Sequence, residues 1–62
     1  MTDEQIKEIF GGDIIHQWGE LGITFNHNGK RYWIPLHEAE EAIEHAGDTR
    51  EVAVTILCAA EL

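Results

Sequence analysis

The spacing of apolar positions changes twice along this chain, and each change predicts an element. Near the start, Ile6, Ile9 and Phe10 recur at i, i+3, i+4 spacing and form one stripe of a helix. Thr2 followed by Gln5 has the form of a capping box, in which each side chain satisfies a backbone N–H of the other residue. Gly11-Gly12 ends the pattern, because glycine enters the left-handed region without steric cost. A helix is therefore expected from Asp3 to Phe10.

Between Asp13 and Pro35 the period becomes two. Asn28-Gly29 is a strong two-residue hairpin signal, since a type I′ turn needs positive φ at both central positions. That turn pairs His27 with Lys30, Phe25 with Tyr32 and Ile23 with Ile34, and sets Thr24 opposite Trp33 and Asn26 opposite Arg31. Alternation then puts Leu21, Ile23, Phe25, Tyr32, Ile34 and Leu36 on a core face. Thr24, Asn26, Arg31 and Trp33 fall on the other face. A second tight turn at Gly19-Glu20 would add a strand from Ile14 to Trp18. Ile14, His16 and Trp18 would then join the core, and Ile15 would lie beside Thr24 and Trp33.

Helical spacing returns from Leu36 to Ala46. Leu36, Ala39, Ala42, Ile43 and Ala46 share one side, and His37, Glu38, Glu40, Glu41, Glu44 and His45 the other. Gly47 stands where a glycine closes a helix, and Asp48 with Glu51 resembles a fresh cap. The last segment reads two ways. Val52–Leu57 is β-branched and suits a buried strand. The cap and the alanine-rich end at Cys58–Leu62 favour a helix, and this is the preferred reading. Either way the segment should be core, with Cys58 acting as a small hydrophobe. The fold class is a single α+β domain over residues 1–62: helix, antiparallel meander, acidic amphipathic helix and apolar C-terminal helix, with a C-terminal strand as the alternative.

Size and charge narrow the function. The 62 residues carry 12 acids against 4 Lys and Arg, a formal net charge of −8. With 44% hydrophobic residues the acidity does not signal disorder. No apolar run approaches the ~18 residues of a membrane span. The opening Met1-Thr2-Asp3-Glu4 is acidic where a secretory signal is basic, and a lone cysteine suits a reducing compartment, so a cytoplasmic protein is expected. The charge argues against binding bare nucleic acid or anionic lipid. It is also uneven: residues 1–31 sum to −2 and residues 32–62 to −6.

Metal or catalytic chemistry finds little support. The histidines at 16, 27, 37 and 45 are too far apart for the ligand pairs of structural zinc sites. There is no serine for a serine triad, and a domain this small has little volume for a substrate pocket. The expectation is no enzyme, no cofactor and no bound metal.

The acidic helix is the strongest feature. Glu38, Glu40, Glu41 and Glu44, with Asp48 following, repel one another at i, i+3 and i, i+4 spacing, at a cost of a few tenths of a kcal/mol per pair. A solvated helix face is one reading; a docking surface for a basic partner is the other. Neighbouring side chains on such a face lie about 5–6 Å apart, comparable with phosphates along a nucleic-acid strand. Trp33 is the second feature. Either another element covers it as a small second core, or it is an exposed anchor with Arg31 beside it.

In size, charge and placement of Glu38, Glu40, Glu41 and Glu44, the chain resembles the small acidic inhibitors of phages and mobile elements, namely anti-CRISPR and DNA-mimicking antirestriction proteins. No motif defines these groups, so the resemblance carries over no site residue. It implies stoichiometric occupation of a Lys/Arg-lined nucleic-acid channel in a bacterial complex, within the host cytoplasm. The partner would be that basic protein surface, without direct contact to nucleic acid or membrane. A homo-oligomeric adaptor using the Trp33 face, such as a homodimer, is the alternative; a metal-binding protein is the weaker one.

Overall fold

The structure, a computed structural model, describes residues 1–62. Its elements run α1 (Asp3–Phe10), β1 (Ile14–Gln17), β2 (Glu20–His27), β3 (Lys30–Pro35), α2 (Leu36–Glu44), α3 (Thr49–Thr55) and β4 (Ala60–Glu61). The strands form one antiparallel sheet in the order β1-β2-β3-β4. This is the expected α+β class. No helix is long and apolar enough to cross a membrane.

Local signals act where the sequence puts them. Thr2 and Gln5 exchange hydrogen bonds of 2.9 and 3.2 Å in a capping box, and Gly11 closes α1 at φ 71°. Asn28 and Gly29 take φ 51° and 77°, which fixes the β2–β3 register as expected, with Thr24 opposite Trp33. All three helices pack on one sheet face. Ile6 and Phe10 of α1, Ala39 and Ala42 of α2, and Val52 and Ala53 of α3 meet Ile23, Phe25 and Ile34 there. Phe10 and Phe25 touch with ring centroids 5.0 Å apart.

The first hairpin differs from expectation. Its turn is Trp18-Gly19, at φ 52° and 77°, not Gly19-Glu20. Glycine here takes the second turn position, as Gly29 does in the other hairpin, and Glu20 stays in the strand. The β1–β2 register moves by two residues, so Ile15 lies opposite Gly22 and not Thr24. A shift of two keeps each side chain on its face. Trp18 loses its place in the strand and in the core, and His16, expected in the core as well, is exposed near the turn end of the hairpin.

Three other corrections concern ends. α2 stops at Glu44 because His45 is extended at φ −72°, ψ 151°, carrying the chain toward the next cap; Ala46 is exposed. The last segment reverses its local signals: the β-branched part expected to suit a strand is largely helix, and the alanine-rich end expected to be helix holds a strand. Asp48 caps a helix to Thr55, and Ala60–Glu61 then pairs with Trp33 and Tyr32 as an edge strand. Not all of it is core: Val52 and Ala53 are buried, whereas Ile56 at the helix C-cap, Cys58 in the turn and Leu62 beyond β4 are exposed. Leu21 is exposed too, since it pairs with His16 at the turn end of the hairpin.

Candidate partner-binding surfaces

The helical layer carries most of the charge. α1, α2 and the capped helix from Asp48 to Thr55 hold nine acids and two bases, a sum of −7 out of −8. The remaining residues hold Asp13, Glu20 and Glu61 against Lys30 and Arg31, a sum of −1. Since the helices share one side of the sheet, the molecule has an acidic side and a nearly neutral one.

The acids of α2 do not all share one face. Residues two apart are separated by about 200° around a helix, so Glu38 and Glu40 lie on opposite flanks. Glu40 is half-buried, with the Met1 amine 3.9 Å away. Glu38 is half-buried at the sheet side, where His37 Nε2 lies 3.9 Å from its carboxylate. Only Glu41 and Glu44 of the four are exposed. Asp48 is exposed, but it also accepts hydrogen bonds from the backbone N–H groups of Arg50 and Glu51 at 3.0 and 3.2 Å. The single row of carboxylates expected along this helix is therefore a pair with two flanking groups.

Trp33 is not an exposed anchor. It is only 4% exposed, because its ring lies flat across the outer sheet face. Its indole N–H donates to the Ile15 carbonyl at 3.2 Å, and Trp18 meets it edge to face with centroids 5.4 Å apart. Arg31 is exposed, and its guanidinium donates to the Thr24 hydroxyl at 3.2 Å. That hydroxyl also bonds the backbone N–H and carbonyl of Asp13, which explains how a threonine assigned to the outer face is 1% exposed. No helix covers this face; Trp33 and the Arg31–Thr24–Asp13 contacts close it from within the sheet.

The side chain on offer is Trp18, 70% exposed on the hairpin tip. Strand alternation hid it, because the sequence allowed the turn to fall one residue later. The signal available was Trp18-Gly19, a pair with glycine second like Asn28-Gly29. Beside Trp18 lies a pocket of about 220 Å³ lined by Trp33, Pro35, Glu38, Leu57 and Ala60 among others. It forms where β4, only two residues long, leaves the end of β3 unpaired.

No three His, Cys, Asp or Glu side chains are grouped to hold a metal ion. The structure thus separates two candidate surfaces, an acidic helical layer and a tryptophan-lined pocket. No family model, curated protein or solved structure matches this chain.

Proposed function

We propose that this chain works by binding protein, as a small acidic inhibitor of the anti-CRISPR or DNA-mimic type. Its helical layer occupies a Lys/Arg-lined nucleic-acid groove of a bacterial complex in the cytoplasm and excludes the nucleic acid by stoichiometric occupation. The observation that supports this most is the one-sided charge, −7 of the total −8 on the three helices with the Asp48 cap. The molecule extends 28 × 25 × 17 Å, a few Debye lengths at physiological salt. Screening therefore confines each contact to neighbouring carboxylates at physiological salt, and the layer acts as one field that steers encounter and sets orientation only at low salt. Glu41 and Glu44 present the exposed pair, Asp48 extends it, and Glu40 flanks it.

The test is salt-dependent capture from bacterial lysate on immobilised protein, followed by a mobility-shift assay of the captured partner with its nucleic acid. The expected partner binds nucleic acid and loses it on addition of one equivalent of this protein. Capture should fall by at least about tenfold between roughly 50 and 200 mM salt. Glu41→Lys with Glu44→Lys should abolish both effects while leaving the fold intact. Capture that ignores salt and survives the double reversal would overturn the proposal.

A further inference from the structure

The pocket beside Trp18 combines two features that ask for opposite things from a ligand. Its walls are aromatic and aliphatic, yet Glu38, the one charged residue lining it, brings a full negative charge. The Glu38 side chain is 32% exposed and accepts no hydrogen bond from the protein. His37 Nε2, at 3.9 Å, is beyond hydrogen-bond range and belongs to a side chain 70% exposed. A neutral apolar ligand would strip water from this carboxylate without replacing it, which is unfavourable. An anion would be repelled. A cation on an apolar stem satisfies both features.

The aromatic geometry agrees. Trp18 and Trp33 meet at 70°, so their rings form two walls near a right angle. The face of a tryptophan ring attracts cations, more strongly where water is excluded. Trp18 is held at φ 52°, a conformation uncommon for a bulky residue, while remaining largely in solvent. Its own burial therefore does not account for its place on the hairpin tip. The volume of about 220 Å³ lies below the ~300–1,000 Å³ of small-molecule sites and suits a single side chain.

We propose that this pocket binds an arginine side chain of a basic protein partner, the guanidinium stacked on Trp18 and paired with Glu38, its stem against Leu57 and Ala60. Arginine is favoured over lysine because a planar guanidinium both stacks on an indole and pairs bidentately with a carboxylate. The inference rests on the basic-partner reading above and adds a contact away from Glu41 and Glu44. It uses the border between the helical layer and the β3–β4 edge of the sheet to fix orientation.

The test needs no partner. ¹⁵N-labelled protein is titrated with Nα-acetyl-arginine amide at constant ionic strength, and the indole N–H resonances of Trp18 and Trp33 are followed. Saturable shifts with a Kd in about the millimolar range are expected. The citrulline analogue, equal in shape but uncharged, should bind at least about fivefold more weakly. Glu38→Gln should weaken arginine binding by about three- to tenfold, and Trp18→Asn by a similar factor. Glu44→Gln, on a different face, should leave it unchanged. Shifts that never saturate, an equal response to citrulline, or full affinity in Glu38→Gln would overturn the proposal. So would a Trp18 resonance that moves with protein concentration alone, which would make a second copy the occupant. These outcomes remove the pocket without touching the acidic layer; loss of salt-dependent capture removes the acidic layer without touching the probe titration.

Discussion

The indole N–H of Trp33 donates to the backbone carbonyl of Ile15 at 3.2 Å, although β2 lies between their two strands. The ring must therefore cross β2, and it does so over Gly22, where a Cβ would lie 2.4 Å from two ring carbons. One residue without a side chain thus lets a tryptophan lie flat on a sheet face that no helix covers.

Gly22→Ala should cost about 1–3 kcal/mol, as overpacking does in a filled site. The check is the urea midpoint of unfolding. Trp33→Phe removes part of the obstructing ring, so Gly22→Ala should cost less in that background than in the parent. The relief is partial, since the Ile34 carbonyl also lies 2.4 Å from the added Cβ. Strict additivity of the two substitutions would show that the ring is not what Gly22 accommodates.

The two tryptophans should differ sharply in their effect on stability. Trp33→Ala removes a ring that is 4% exposed and should cost about 3–5 kcal/mol. Trp18→Asn loses one edge-to-face contact but relieves the left-handed φ, and should change stability by less than about 1 kcal/mol. Fluorescence should show Trp33 emission moving to longer wavelength once its cover is gone. Equal destabilisation by both variants would make Trp18 a structural residue.

Asp48 serves as a cap and as a charge, and two substitutions separate these roles. Asp48→Ala loses the bonds to the Arg50 and Glu51 N–H groups and should cost about 0.5–2 kcal/mol in thermal unfolding. Asp48→Asn keeps a capping oxygen and should be nearly neutral. If the asparagine variant also weakens salt-dependent capture, the charge of Asp48 belongs to the partner surface.

Glu41→Lys should stabilise the free protein while weakening partner capture. Glu41 faces Glu38 and Glu44 at i, i+3 spacing, and lysine there would turn two repulsive pairs into attractive ones. It would also place a cation near the helix C-terminus. The gain should be about 0.5–1 kcal/mol at low salt and should vanish near 1 M salt. A variant that is destabilised at low salt would mean that Glu41 has a favourable contact this geometry lacks.

The capping box at Thr2 and Gln5, the left-handed Gly11 and the Asn28-Gly29 turn were legible because each depends on the φ preferences and side-chain reach of a few neighbouring residues. The β2–β3 register followed directly, since a two-residue turn leaves one way to pair. The Trp18-Gly19 turn was less legible because strand alternation fits a turn at Gly19-Glu20 equally well. A two-residue shift conserves every face, so no periodicity argument can detect it.

The acidic helix shows the same division. Its charge and its apolar side could be read from spacing alone, as could the total of −8. Which carboxylates stay in solvent depended on what lies beside each flank: Met1 beside Glu40, and the Trp18–Trp33 pocket beside Glu38. The burial of Trp33 was decided the same way, by a glycine on one neighbouring strand and a carbonyl on the next.

The amino-acid sequence by itself determined the α+β class, the first helix, the central hairpin and an excess of negative charge in the second half. Those rest on local preferences and on a period of two or 3.6. Only the tertiary structure decided that the helices share one side and with the Asp48 cap gather −7 of the charge there, and that Trp18 and not Trp33 faces solvent. Burial is a property of neighbours distant along the chain, and strand period assigns a residue to a face without saying what covers that face.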